Sequence, residues 1–270
     1  MTDGTQHGWT DCHCHLDEFD DPEAVLARAL KANVRRVCAV AQYESSWPRI
    51  TALAAAHPGV VVRGLGLHPA PTGSELSFEE AATRLPALHA ALLAAQPQVV
   101  GEIGLDWKFA VSPEQRAAQQ RLFEAQLAVA EALRVPVSVH SRRAARAVLD
   151  TCARWHRATG LGACLHWFTH SAALMRQAAA AGLFVSVGPA GALHEPDEQA
   201  VVRKAGRECL AHLLLETDGP VPFAGRPAEP ADVADVGTAV AGLIGISPAE
   251  LMTATNTNFD NYISGGSGEQ

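Results

Sequence analysis

The chain has 270 residues, 48% of them hydrophobic and 19% charged, with 29 acidic against 21 basic residues and a net charge of -8. No apolar run approaches the ~18 residues of a membrane helix, and the polar start, 1–8, lacks the apolar core of a secretory signal, so the expectation is a cytoplasmic protein without membrane contact. The acidic balance excludes a surface that grips long duplex DNA through counterion release; a nucleic-acid substrate is expected to enter a local pocket as an end or a single strand.

A first apolar run, 9–13, predicts a strand, and a helix over 22–32 follows it behind acidic capping residues. Further strands are predicted at 36–41, 60–66, 98–103, 135–140, 162–167, 183–188 and 212–217. They are short, rich in Val, Leu and Ala and continuously apolar, as strands buried on both faces are. Helical patterns over 45–56, 78–95, 113–134, 142–156, 171–181 and 197–206 separate them, and two more, 230–242 and 248–262, close the chain. Pro22, Pro113 and Pro248 stand at first helical positions, where a missing N–H costs nothing.

Eight strand–helix alternations predict an α/β protein with a closed (β/α)8 barrel, a TIM barrel, rather than an open doubly wound sheet. No glycine-rich dinucleotide turn follows the first strand, and Gly64-Leu65-Gly66 reads as close packing inside a strand. One domain is expected over 9–262, with flexible termini at 1–8 and 263–270. The six cysteines, Cys12, Cys14, Cys38, Cys152, Cys164 and Cys209, lie at irregular spacing inside predicted elements. That pattern opposes a disulfide framework and favours a reducing compartment.

Side chains able to bind metal recur at the C-terminal ends of these strands. His13 and His15 alternate along the first, so both point to one side. Glu102 ends the fourth, His140 the fifth, His166 the sixth and Asp218 the eighth. In a parallel barrel such positions converge on one rim. A carboxylate buried there needs a strong partner, and an imidazole–carboxylate set without thiolates suits one or two divalent ions, Zn²⁺, Mg²⁺ or Mn²⁺. Two such ions would activate a water and clamp the oxygens of a scissile phosphodiester or ester. Asp218 and Glu102 are the candidate catalytic carboxylates. His68, Arg142 and Trp167 are candidate substrate contacts, with Arg142 opening a helix and clamping phosphate. Trp107 and Phe168 join Trp167 at the mouth as base-stacking candidates. Asp17, Asp106 and Glu216 are candidate partners for the ligand rings. Arg143 is expected to face solvent, and His170 and His194 to lie in loops.

The segments Asp11–Asp17, Gly66-Leu67-His68-Pro69, Gly101–Asp106, Val139-His140-Ser141-Arg142, His166-Trp167-Phe168 and Glu216-Thr217-Asp218 together resemble, in order, the motifs of the TatD family of metal-dependent hydrolases. The resemblance covers about 9–260. It implies an amidohydrolase-like barrel, two metal ions held by His13, His15, Glu102, His140, His166 and Asp218, and deoxyribonuclease activity, 3′→5′ on single-stranded DNA. His166-Trp167-Phe168-Thr169-His170 and Asp218-Gly219-Pro220 depart from the usual family wording. With Val185–Ala190 and a short final loop, they are most similar to the TatD-like nuclease of the Qat antiphage defence system, which implies partner defence proteins. Two other readings stand beside the nuclease: hydrolysis of a small amide or ester at the same site, and a non-catalytic scaffold subunit of a defence complex.

Overall fold

The computed structural model describes residues 8–70 and 85–265. Eight strands pair in parallel in chain order to form one sheet. They are β1 (Trp9–Cys14), β2 (Val34–Val40), β3 (Val61–Leu65), β4 (Val99–Asp106), β5 (Val137–Arg142), β6 (Ala163–Leu165), β7 (Phe184–Val187) and β8 (Leu213–Leu215). Helices α1 (Pro22–Lys31), α2 (Trp47–Ala56), α3 (Leu85–Ala95), α4 (Pro113–Leu133), α5 (Ala145–Thr159), α6 (Ala172–Ala180) and α7 (Pro196–Ala205) connect them, and α8 (Val233–Ile244) and α9 (Pro248–Ser264) finish the wall. Among the described residues no single helix is long and apolar enough to cross a membrane. All six cysteines are free and buried.

Every residue of β1 and of β4 is buried, as expected of strands with side chains inside the barrel and helices outside. Each Val or Leu so covered contributes roughly 1.5–3 kcal/mol. The helices begin at chemically marked points. Asp21 accepts from the Ala24 amide ahead of Pro22, and Ser112 forms a reciprocal capping box with Gln115 ahead of Pro113. Each such cap is worth about 1 kcal/mol.

The barrel closes between its first and last strands through groups beyond the regular ladder. The Asp218 amide donates to the His13 carbonyl at 3.0 Å, and the His15 amide donates to Gly219 O at 2.7 Å. The buried Asp11 carboxylate accepts from the Thr217 amide at 3.0 Å and from its hydroxyl at 2.5 Å. This stitch fixes the ends of β1 and β8, hence His13, His15 and Asp218, relative to one another.

Several boundaries differ from the sequence expectation. β5 continues to Arg142, because it pairs with β4 as far as Asp106 opposite Arg142; Arg142 therefore ends a strand and does not open a helix. β6 and β8 stop before His166 and before Glu216, so the ligand-type residues there belong to the following turns. His194 lies in a π-helical turn over Ala190–His194, not in an irregular loop. A short antiparallel hairpin, β9 (Pro222–Phe223) with β10 (Arg226–Pro227), interrupts the segment after β8. The terminal positions also differ where they are described: Gly8 is buried, its carbonyl accepting from Asn256 at 2.8 Å, and α9 runs through Ser264. The remaining positions expected to be flexible, 1–7 and 266–270, and the first part of the predicted helix 78–95 lie outside the described residues.

Candidate metal centre

Glu102 stands at the middle of the C-terminal rim with its two oxygens facing different histidines. Oε2 lies 3.6 Å from His13 Nε2 and 3.4 Å from His15 Nε2. Oε1 lies 2.9 Å from His140 Nδ1, 2.8 Å from His166 Nε2 and 3.4 Å from His68 Nε2. Asp218 completes the first group, its Oδ1 3.6 Å from His13 Nε2 and 3.2 Å from His15 Nε2. Backbone shape delivers these atoms. The β4–β5 register shifts between Val100 and Ile103, a bulge that re-aims Glu102. Asp218 and Trp167 both hold positive φ, +51° and +44°, strained conformations that concentrate at functional sites.

The opposite edges of three of the four rings are already engaged. His13 Nδ1 meets Ser138 Oγ at 2.9 Å, and His15 Nδ1 donates to the Val40 carbonyl at 2.8 Å. His140 Nε2 lies 3.2 Å from Asp106 Oδ2, whereas His166 Nδ1 is buried with no hydrogen-bond partner, 3.8 Å from Glu216 Oε2. The His15 bond holds a proton on Nδ1, so the neutral ring presents its lone pair at Nε2, the form that binds metal.

A divalent ion fits this donor set. His13 Nε2, Glu102 Oε2 and Asp218 Oδ1 are buried with no hydrogen-bond partner, an arrangement costing several kcal/mol unless something else satisfies them. The four His–carboxylate separations of the first group are 3.2–3.6 Å. Ligands about 2.1 Å from one ion in a tetrahedron stand about 3.4 Å apart. The second group, His140 Nδ1, His166 Nε2 and Glu102 Oε1, has its nitrogens 3.4 Å apart.

The charges agree with this assignment. Burial disfavours an ionised Glu102, but the rings of His68 and His166, the nearby His13 and the hydrogen bond with His140 outweigh it and hold the carboxyl well below its usual range. Asp218 is likewise opposed by burial and lowered by His15. Burial disfavours a charged His15, yet Asp218 and Glu102 push its pKa up to about 10. Burial is the first cause lowering His13 and His68.

His68 packs at the same carboxylate, its ring 4.4 Å from that of His140. Its Nδ1 accepts from the Ala70 amide at 3.0 Å, so the neutral ring carries its proton on Nε2 and faces Glu102 as a donor. That geometry suits contact with an anion better than ligation. Asp17 departs from expectation: its Oδ1 is buried without a partner, and the Nδ1 edges of His13 and His15 meet Ser138 and the Val40 carbonyl instead. Phe168 is fully buried and cannot stack a base. Trp107 is covered by Arg116, 4.9 Å above its ring. Of the three aromatic residues only Trp167 lines the pocket, a cavity of about 750 Å³ above the centre. Its indole donates to Glu198 at 3.0 Å, and Thr169 donates to the same carboxylate oxygen. Arg142 lines the pocket as an exposed side chain, Arg143 is exposed beside it, and His170 meets Ser141 Oγ at 3.0 Å. Ser138 and Ser186 are roles the sequence reading missed. Each is the hydroxyl residue between two valines of a strand, and period-two alternation places Ser138 on the side of His140.

Comparison with known proteins follows the same lines. Residues 10–264 match the family model described as TatD related DNase. The chain is 31% identical to the human deoxyribonuclease TATDN3 over 93% of each chain. It is also 31% identical to an Escherichia coli protein named as the uncharacterized metal-dependent hydrolase YcfH, over 92% of this chain and 93% of that one. The crystal structure of the E. coli TatD homologue YjjV superposes with a TM-score of 0.74 at 28% identity, covering 96% of this chain and 98% of that one. A parallel eight-stranded barrel with a buried His/Glu/Asp cluster at its rim, and a family match spanning nearly all of it, place this chain in the TatD-related DNase family.

Proposed function

We propose that the protein is a two-metal deoxyribonuclease that removes nucleotides from the 3′ ends of single-stranded DNA. The observation that carries this reading is the split of Glu102, one oxygen facing His13 and His15 and the other facing His140 and His166. His13, His15, Glu102 and Asp218 would hold one divalent ion, and Glu102, His140 and His166 the other. When bound, such ions supply a polarised water and neutralise charge on a phosphodiester. Asp218, ionised by its histidine neighbours, accepts a proton from the attacking water. Arg142 pairs with a phosphate oxygen, His68 donates its Nε2 proton to another, and Trp167 lies against a base. The 3′→5′ direction, action in antiphage defence and accompanying defence proteins rest on motif resemblance to the Qat nuclease. Six free thiols suit a reducing, cytoplasmic setting.

One observation favours hydrolysis of a small amide or ester instead: the pocket wall carries Glu18, Asp197 and Glu198, with Arg142 its one arginine or lysine among the described residues. A digestion series separates the readings. Manganese- or zinc-loaded protein is expected to shorten 5′-labelled single-stranded DNA in single-nucleotide steps, and Asp218→Asn to slow this by about 10²–10⁴-fold with an unchanged circular-dichroism spectrum. Intact DNA beside rapid hydrolysis of amide substrates would overturn the nuclease reading. Phage plating on cells carrying Asp218→Asn tests the defence role.

A further inference from the structure

Immediately outside the pocket the β4–α4 loop, Trp107 to Ser112, departs from ordinary surface composition. Among the described residues three large hydrophobic side chains are exposed, and two of them, Phe109 at 40% and Val111 at 68%, sit here. Lys108 is exposed with its Nζ 5.6 Å from the Phe109 ring centroid. The loop is anchored, because the Trp107 amide donates to the Arg142 carbonyl at 2.8 Å and the Ala110 amide donates to Asp106 O at 3.0 Å. Asp106 ties it to the centre: Oδ1 accepts from the Lys108 amide at 2.9 Å while Oδ2 lies 3.2 Å from His140 Nε2. The neighbouring strand end adds two exposed cations, Arg142 and Arg143. Lys108, Arg142 and Arg143 form no ion pair among the described residues. The pocket lining itself carries Glu18, Asp197 and Glu198.

An exposed aromatic ring with a cation beside it is thus tied by its loop backbone to a strand end that bears two more exposed cations, one of them in the pocket lining. Every base has a face that stacks on such a ring, and the phosphates beside it need cations. We propose that this loop is a second nucleic-acid contact, on which Phe109 stacks a base of the single strand leading out of the pocket while Lys108, Arg142 and Arg143 meet its phosphates. The proposal rests on the deoxyribonuclease reading for its substrate class.

A binding experiment separates the two. Fluorescence anisotropy is read on a labelled oligothymidylate of about twelve nucleotides, with non-cleavable phosphorothioate linkages, against the metal-loaded full chain. Phe109→Ala is expected to weaken binding about tenfold, Phe109→Trp to restore it, and Lys108→Gln to lower the slope of log affinity against log salt by about 1. Leu30→Ala, which removes the third exposed apolar side chain, is expected to bind as wild type. Equal affinity of wild type and Phe109→Ala overturns the proposal and leaves the loop as a protein contact, and an oligonucleotide that binds neither also overturns it. Cleavage of DNA with a Phe109-independent affinity sinks only the second contact, whereas Phe109-dependent binding without cleavage sinks only the nuclease.

Discussion

Glu216 presents Oε2 at 3.8 Å from His166 Nδ1 and accepts a 2.6 Å hydrogen bond from Ser186 on the same oxygen. Burial disfavours a charged His166, but Glu102 and Glu216 together raise its pKa well above the ordinary value. Glu216 thus faces the Nδ1 edge by charge and without a hydrogen bond, while Nε2 lies 2.8 Å from Glu102. Glu216→Gln keeps an acceptor for Ser186 but removes the charge. The expected result is a 10–100-fold loss of zinc or manganese affinity by calorimetry, with the fold intact.

The buried, unpartnered atoms of His13, Glu102 and Asp218 predict that metal stabilises the fold. An ion at 100 times its Kd adds about 2.7 kcal/mol, or roughly 5–10 °C in Tm for a chain of this size. Thermal denaturation with and without chelator checks this. Calorimetry is expected to give two ions per chain, with His15→Ala reducing one event and His140→Ala the other.

The fold and much of this centre are legible in the sequence for one physical reason. Strands buried on both faces read as unbroken apolar runs, so a histidine or carboxylate ending one stands out. What is illegible depends on local geometry. Asp17 and Glu216 look equally suitable as ring partners, but the chain turns after β1 and gives His15 the Val40 carbonyl. Phe168 and Trp167 are adjacent, yet the positive φ of Trp167 turns one side chain toward the pocket and leaves the other in the core. The hairpin after β8 carries no apolar periodicity because it is two residues per strand.

Away from the centre, His212 gives the fold a pH dependence. Its ring is half-buried, 5.6 Å from Phe184, with Nδ1 lacking a partner. Burial, then repulsion from His156, lowers its pKa. The unfolded chain therefore takes up a proton near the ordinary histidine value of ~6.5 that the folded chain resists. Stability is complete above that pH and declines as pH falls through it, levelling once the folded pKa is passed. Urea denaturation from about pH 7 to about pH 5 is expected to show a smaller decline for His212→Phe than for wild type, and equal declines would refute the assignment.

Gly104 is a backbone position that couples the two strands carrying Glu102 and His140. Its φ is +139°, outside the range open to other residues, and a Cβ there would stand 2.2 Å from the His140 carbonyl oxygen. That carbonyl belongs to β5, paired to β4 at this very residue, so neither strand can yield without moving Glu102 or His140. Gly104→Ala combines backbone strain with a clash against main chain. The expected cost is about 2–4 kcal/mol, with metal binding weakened at both proposed positions because the Glu102 oxygens face both histidine groups. Ala at Gly225 is the comparison: φ is also positive, +81°, but nothing lies within 4 Å of the added carbon. It isolates the conformational share, about 1 kcal/mol, and leaves metal affinity unchanged. Chemical denaturation and metal titration of the two variants side by side read both quantities, and similar metal affinities would show that Glu102 and His140 do not depend on this approach of β4 to β5.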